Sequence, residues 1–438
     1  MNFYNLRSLQ NSPNPKNTQT ITVYLVLGML GTILMLCAIA MQPLLSVLEG
    51  WKQILLAPNV LFSDAMAIGG VAAALWNAGF MTLLSIGLLV YFKTEGTGAA
   101  FASVMTVCGF SLFGKNPLNA FPAISGSLMY ILRNETKGTN SFVPALYASG
   151  LGPITSAIFF GSELPLYYSI PLGFIIGFLS GYLLIPIAKK AKWFHQGYSL
   201  YQIGFAAGLT ATLLINPLRI WGLKIPVVMT FYSETNQWLT IGCATIFLLF
   251  IAIGLLTNGC SLKGYQRILK DKNQKGYDYI IKYGFGLSLF NSGLTSLCIL
   301  LILVALNVRL NGPILGALIT IAGFSTYGKH IVNISPIMIG ALLATFAIYG
   351  KVNSTISIVI ILFASTLAPL TGRYGPIASA ASGMLHVLIS NQIGFLHAGV
   401  NLYNNGFAGG FVARLFITLS PVITKLKVLI EKSLYLKK

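Results

Sequence analysis

Apolar residues run in long blocks along this chain, and polar residues collect between them. The first block, Ile21 to Met41, is long enough to span a bilayer. About twenty polar residues precede it, Arg7, Asn14, Pro15 and Lys16 among them, and no small-residue cleavage site follows. It therefore reads as a retained span and not as a cleaved signal. Further blocks fall near 64–92, 97–114, 118–133, 141–161, 167–188 and 200–216, and a second plain span covers 237–258. Several are too short, or too broken by glycine and proline, to be simple spans. The pattern predicts an all-α polytopic membrane protein with about ten to fourteen membrane segments, some of them discontinuous or re-entrant.

The blocks repeat. GFSLFGKNPLNAFPAISGSL, from Gly109, matches GFSTYGKHIVNISPIMIGAL, from Gly323, at an offset of 214. The pairs include Ser111/Ser325, Gly114/Gly328, Lys115/Lys329, Asn119/Asn333 and Pro122/Pro336, and upstream Asp64/Asp278, Gly70/Gly284 and Asn77/Asn291. ALYASGLGPITS, from Ala145, matches ILFASTLAPLTG at an offset of 216, pairing Ser149/Ser365, Pro153/Pro369 and Thr155/Thr371. HQGYSLYQIGFAAG, from His195, matches HAGVNLYNNGFAGG at 202, pairing His195/His397, Tyr201/Tyr403, Gly204/Gly406 and Phe205/Phe407. The fall in offset places extra chain in the first copy near 157–170. Three ordered blocks with rare residues in register mark a duplication. It divides the chain into a cytoplasmic N-terminal segment, 1–19, a first transmembrane repeat, 20–217, a linker, 218–236, a second repeat, 237–420, and a basic cytoplasmic tail, 421–438.

Charge sets the relation of the copies. The segment after Gly259 carries Lys263, Arg267, Lys270, Lys272 and Lys275, whereas its counterpart, 45–63, carries only Lys52. Lys189, Lys190 and Lys192 precede His195, and nothing charged lies between Asn391 and Leu396. Equivalent loops thus carry opposite bias, as they would on opposite faces of a membrane. The copies read as inverted, with an odd number of crossings each and both termini cytoplasmic in the cell membrane.

Composition narrows the classes. Hydrophobic residues make up 55% of the chain and charged ones 8%, and the mean hydropathy is +0.77. That excludes a soluble enzyme, a disordered chain and a disulfide scaffold. The net charge of +19 reads as loop orientation and not as nucleic-acid binding. The five cysteines, without CxxC spacing, read as small core residues, and no metal or cofactor is expected. No GxxxxGK[ST], HExxH or GxSxG occurs, so neither an ATP-driven pump nor a common hydrolase is indicated.

Inverted halves build a pathway at their interface, marked by short Gly/Pro-interrupted segments in matching places. Three blocks qualify. Lys115 and Lys329 are costly between apolar segments unless they face water or a partner, and they read either as a cationic lining or as interfacial turns. Asn119 and Asn333 read as helix caps or pathway polarity. Thr155 and Thr371 follow prolines that break a helix and free carbonyls. Tyr201 and Tyr403 offer hydroxyls, Phe205 and Phe407 an apolar constriction, and His195, His397 and Asn404 polarity. Asn77 and Asn291 read as pathway or interhelix contacts, and Asp64 and Asp278 as N-caps.

AGVNLYNNGFAG, Ala398 to Gly409, resembles the re-entrant AGLxxYNxxLxG motif of the urea transporter family at Ala398, Gly399, Tyr403, Asn404 and Gly409. In the first copy Gln202 stands in place of the asparagine. The resemblance implies a passive channel for a small neutral amide. GRYGP, Gly372–Pro376, is similar to the GREGP helix-start motif of chloride channels and transporters, without its glutamate. As a whole the chain resembles an uncharacterised tandem-repeat family of bacterial membrane proteins. The expectation is a non-enzymatic permease or channel for a small polar solute, a neutral amide or a small anion. Its partners are the bilayer and the solute; a homo-oligomer and a non-transporting structural role stay open.

Overall fold

A computed structural model describes residues 15–134, 141–225, 229–235, 237–272 and 277–435, with side chains to residue 420. The basic side chains expected in the tail, and those of Arg7, Asn14, Pro15 and Lys275, lie outside the described residues.

The described chain is helical. The first copy contains α1 (Pro15–Met41), α2 (Leu44–Leu56), α3 (Ala65–Tyr91), α4 (Gly98–Phe110), α5 (Pro117–Asn134), α6 (Val143–Ala148), α7 (Gly152–Gly161), α8 (Leu166–His195) and α9 (Gln202–Ile220). The second contains α10 (Gln237–Thr257), α11 (Tyr265–Leu269), α12 (Tyr279–Tyr283), α13 (Phe285–Ala305), α14 (Gly312–Phe324), α15 (Ile331–Tyr349), α16 (Thr355–Ala364), α17 (Ala368–Ile393) and α18 (Asn404–Tyr435). Nine helical segments among the described residues are long and apolar enough to cross a membrane. α4 and α14, of 13 residues each, measure ~20 Å and fall short of a ~30 Å hydrocarbon core. With α5 added, the total falls inside the expected range.

Local sequence sets the helix ends alike in both copies. Thr97 caps α4 and its counterpart Asn311 caps α14. Gly70 and Gly284, at φ of 85° and 84°, break the two long helices at the same step, a backbone that glycine adopts without penalty. Single 3₁₀ turns, Ser149–Leu151 and Ser365–Leu367, interrupt the ASxLxPxT segments. The serines answer the breaks, since each hydroxyl donates to the carbonyl three residues back, Leu146 and Leu362. The fall in offset from 216 to 202 is also explained. The first copy joins α7 to a 30-residue α8 through a loop, whereas the second turns inside α17, at Gly375 with φ 81° before Pro376.

The copies are antiparallel. In each, one tight helix pair is closed by glycines set against backbone: Gly126 and Gly181 between α5 and α8, Gly340 and Gly383 between α15 and α17. Between copies, α4 lies against α14. Gly98 abuts Thr326, Gly109 abuts Gly316, and Gly312 abuts Leu112, so the two equivalent helices run in opposite directions. Two equivalent helices packed antiparallel are related by an axis perpendicular to their length, as inversion requires. α9 and α18 meet on the same axis, with Gly204 against Gly406.

Candidate functional site

The aspartates read as N-caps do cap their own helices. Asp64 accepts from Met66 and Asp278 from Ile281. Each also reaches the start of the other copy's short helix: Asp64 accepts from the Gly312 amide, and Asp278 from those of Gly98 and Ala99. The linker joins the first cluster, because the Tyr232 amide donates to Asp64 at 2.9 Å. α4 therefore runs from an Asp278 end to an Asp64 end of the molecule, and α14 runs back.

Between α4, α14, α9 and α18 lies a cavity of about 220 Å³. Its wall follows the two-fold: Thr106/Thr320, Phe110/Phe324, Tyr147/Phe363, Leu200/Leu402, Tyr201/Tyr403 and Gly204/Gly406 occupy matching positions. Ala99, Val143, Pro144, Gln202 and Tyr327 line it without a counterpart, and Asn405 stands where the first copy has Ile203. The ring contacts recur as well. Phe110 meets Tyr403 edge-on at 4.9 Å, and Phe324 meets Tyr201 edge-on at 4.6 Å.

Behind each tyrosine stands a lysine. Lys115 and Lys329 rank among the largest fully buried side chains of the molecule. Lys115 Nζ donates to Tyr403 Oη at 3.2 Å. Lys329 Nζ donates to Tyr201 Oη at 2.5 Å and to Ser365 Oγ at 2.8 Å. Ser149, the counterpart of Ser365, lies beside the Tyr403 hydroxyl. Each cluster thus takes lysine and serine from one copy and tyrosine from the other. The ammonium groups also lie over rings, Lys115 at 5.6 Å from Phe110 and Lys329 at 5.4 Å from Phe324. Neither lysine forms an ion pair with a carboxylate among the described residues.

The turns that carry the lysines are held rigidly. Gly114 and Gly328, at φ of 74° and 122°, reverse the chain just before each lysine. Asn77 Nδ2 donates to the carbonyls of Ser111 and Lys115, and Asn291 Nδ2 to those of Ser325 and Lys329, all at 2.7–2.8 Å. Trp51 and Tyr265 fix the amide oxygens of these asparagines. Asn119 and Asn333 close the same turns. Each accepts from the backbone three residues earlier and donates to the carbonyl of Gly114 or Gly328.

The remaining candidates lie off the cavity wall. Phe205 and Phe407 face one another across the axis at 5.8 Å; Phe205 stacks on Phe194, and both meet Phe411 at 5.3 Å, tilted or edge-on. Thr371 donates to the Asn333 carbonyl, while Thr155 lies against Gly177. His195 accepts from the Gly197 amide, and His397 contacts Asn404, which donates to the Ser390 carbonyl. These histidines have amide and backbone neighbours in place of acids. Sequence reading did not single out Thr106, Thr320, Phe110, Phe324, Tyr147 or Asn405 for the cavity. Phe110 and Phe324 stood inside the repeated block, which was the available signal.

No curated protein and no solved structure matches the chain. One family does. Its model, described as a protein of unknown function (DUF1576), matches residues 45–220 and 257–422, one region in each copy and more than half of the chain. A membrane-embedded helical protein built as a tandem repeat, the chain belongs to the DUF1576 family.

Proposed function

We propose that the protein is a permease or channel that passes a small polar solute across the cell membrane, through the interface of its two inverted repeats. The observation that carries this reading is the cavity on the two-fold axis, walled by matched residues of both copies. A site shared by two oppositely oriented halves can face either side of a membrane at similar energy, because each half presents the same groups in opposite order. Lys115 and Lys329 then sit at opposite ends of the antiparallel pair α4 and α14, one towards each entrance.

Of the two solute classes, the lysines favour an anion over a neutral amide. A buried ammonium without a carboxylate partner is costly, and an anionic solute supplies the missing charge. With basic loops inside, both termini are cytoplasmic. The chain is read as a transporter and not an enzyme. The test is stopped-flow light scattering on proteoliposomes with urea and with small anions, for the native chain and the Lys115→Ala/Lys329→Ala variant. Anion-driven volume change that collapses in the variant supports the reading. Urea flux that survives the variant moves the lysines out of the pathway, and no flux of any solute ends the proposal.

A further inference from the structure

The cavity wall carries a second kind of information besides charge. Apart from Thr106, Thr320, Gln202 and Asn405 it is made of aliphatic groups and seven aromatic rings. A bare inorganic anion would have to surrender its hydration there to a surface with few donors. A cavity of ~150 Å³ lined by apolar groups holds benzene, so one of 220 Å³ takes a single ring, or a branched chain, together with a carboxylate.

The donors for that carboxylate stand behind the wall tyrosines, Tyr201 and Tyr403. An ammonium has three N–H donors. Lys115 uses one, on Tyr403, and Lys329 uses two, on Tyr201 and Ser365. The protons of Ser149 and Ser365 are spent on the Leu146 and Leu362 carbonyls. Each tyrosine has its ring on the cavity wall, and its hydroxyl accepts from its lysine and lies beside the serine of the same cluster. A Lys–Tyr pair of this kind is a carboxylate hook with an apolar chamber beside it. The two-fold repeats the hook at the other end.

We propose that the solute is an organic monoanion with a compact apolar body, of the benzoate class, whose carboxylate is held by Tyr403 and Lys115 at one end or by Tyr201 and Lys329 at the other. The proposal rests on the permease reading for the word solute, but binding tests it separately. Radiolabelled benzoate is equilibrated with purified full-length protein in lipid nanodiscs, with nitrate and urea as competitors. Flux is measured in proteoliposomes with benzenesulfonate, which stays ionised and does not leak as a neutral acid. The expected result is saturable benzoate binding that neither urea nor nitrate displaces at equal concentration. Affinity should fall about thirtyfold in Lys115→Met or Lys329→Met, and less in Tyr403→Phe, which keeps the ring and removes the donor. Methionine fills the lysine's volume without a charge, so the variants are expected to fold. Displacement by equimolar nitrate or urea, or unchanged affinity in both methionine variants, overturns the proposal. Lysine-dependent binding without benzenesulfonate flux supports it as a ligand site and removes the permease reading alone.

Discussion

Lys329 reaches Tyr201 over 2.5 Å, and the two residues belong to different copies of the repeat. Lys115 and Tyr403 make the same contact in reverse at 3.2 Å. The clusters are therefore cross-linked products of the duplication: neither copy alone contains one.

The lysines should be detrimental to stability. Replacing an unpaired buried charge by an apolar side chain of similar volume is neutral or stabilising, by up to ~1–4 kcal/mol. Lys329→Met is expected to unfold, in a detergent melt, at or above the native temperature. A drop of several degrees would mean that the ammonium is satisfied by groups other than Tyr201 and Ser365.

The asparagines hold the lysine turns. Asn77→Leu leaves the Ser111 and Lys115 carbonyls without their side-chain donor, at ~2–4 kcal/mol for the pair. Hydrogen exchange should quicken in residues 111–116 before it does in the rest of α3. Exchange unchanged there would show that Asn119 alone suffices.

Tight glycine contacts set the spacing of α5 and α8, and of α15 and α17. A Cβ at Gly181 would lie 1.7 Å from the Ala123 carbonyl oxygen, and one at Gly383 2.0 Å from that of Ile337. Backbone cannot swing aside, so Gly181→Ala and Gly383→Ala should each cost at least ~3 kcal/mol. Gly87→Ala meets nothing within 4 Å and should be neutral or slightly stabilising. Equal melting temperatures for the three variants would refute the close approach.

Inversion has a labelling signature. Lys93 and Asn307 are equivalent positions, with φ of 51° and 53°, in the loops that precede α4 and α14. With the native cysteines replaced, an impermeant maleimide applied to intact cells should label Asn307→Cys and spare Lys93→Cys. Labelling of both from one face would end the inverted arrangement. The reverse pattern would retain it and move the termini outside.

Acid should favour the Asp64 cluster. Burial pushes this carboxyl up to about 6, against the pull of the amides of Tyr232, Met66, Gly312 and Ala67. Its folded value exceeds the ~3.9 of an unfolded chain, so its contribution is complete below that value and is lost as the pH rises through 6. The melting temperature of the native protein should fall between pH 4 and 7 by more than that of Asp64→Asn. Parallel curves would show that Asp64 keeps the same affinity for its proton in both states.

The duplication, the helical class and the pairing of Lys115 with Lys329 and of Tyr201 with Tyr403 as equivalent positions were legible from residues in register, because like sequences form like segments. Asp64 and Asp278 were legible as caps, since capping is local. Their second role, across the interface, was not. Phe205 and Phe407 illustrate the same limit: their pairing was visible, but not that they would meet each other off the cavity wall, one residue beyond Gly204 and Gly406.

The sequence by itself determined what each copy contains: the spans, the breaks at glycine and proline, the paired polar residues, and through loop charge the opposite orientation of the copies. Only the tertiary structure decided which residue of one copy meets which of the other. Local propensity and periodicity act over a few residues, whereas the axis on which the copies cross is set by close contacts such as Gly204 on Gly406 and Gly109 on Gly316. That axis brings Lys115 to Tyr403 across 288 positions and encloses a cavity that neither copy could form alone.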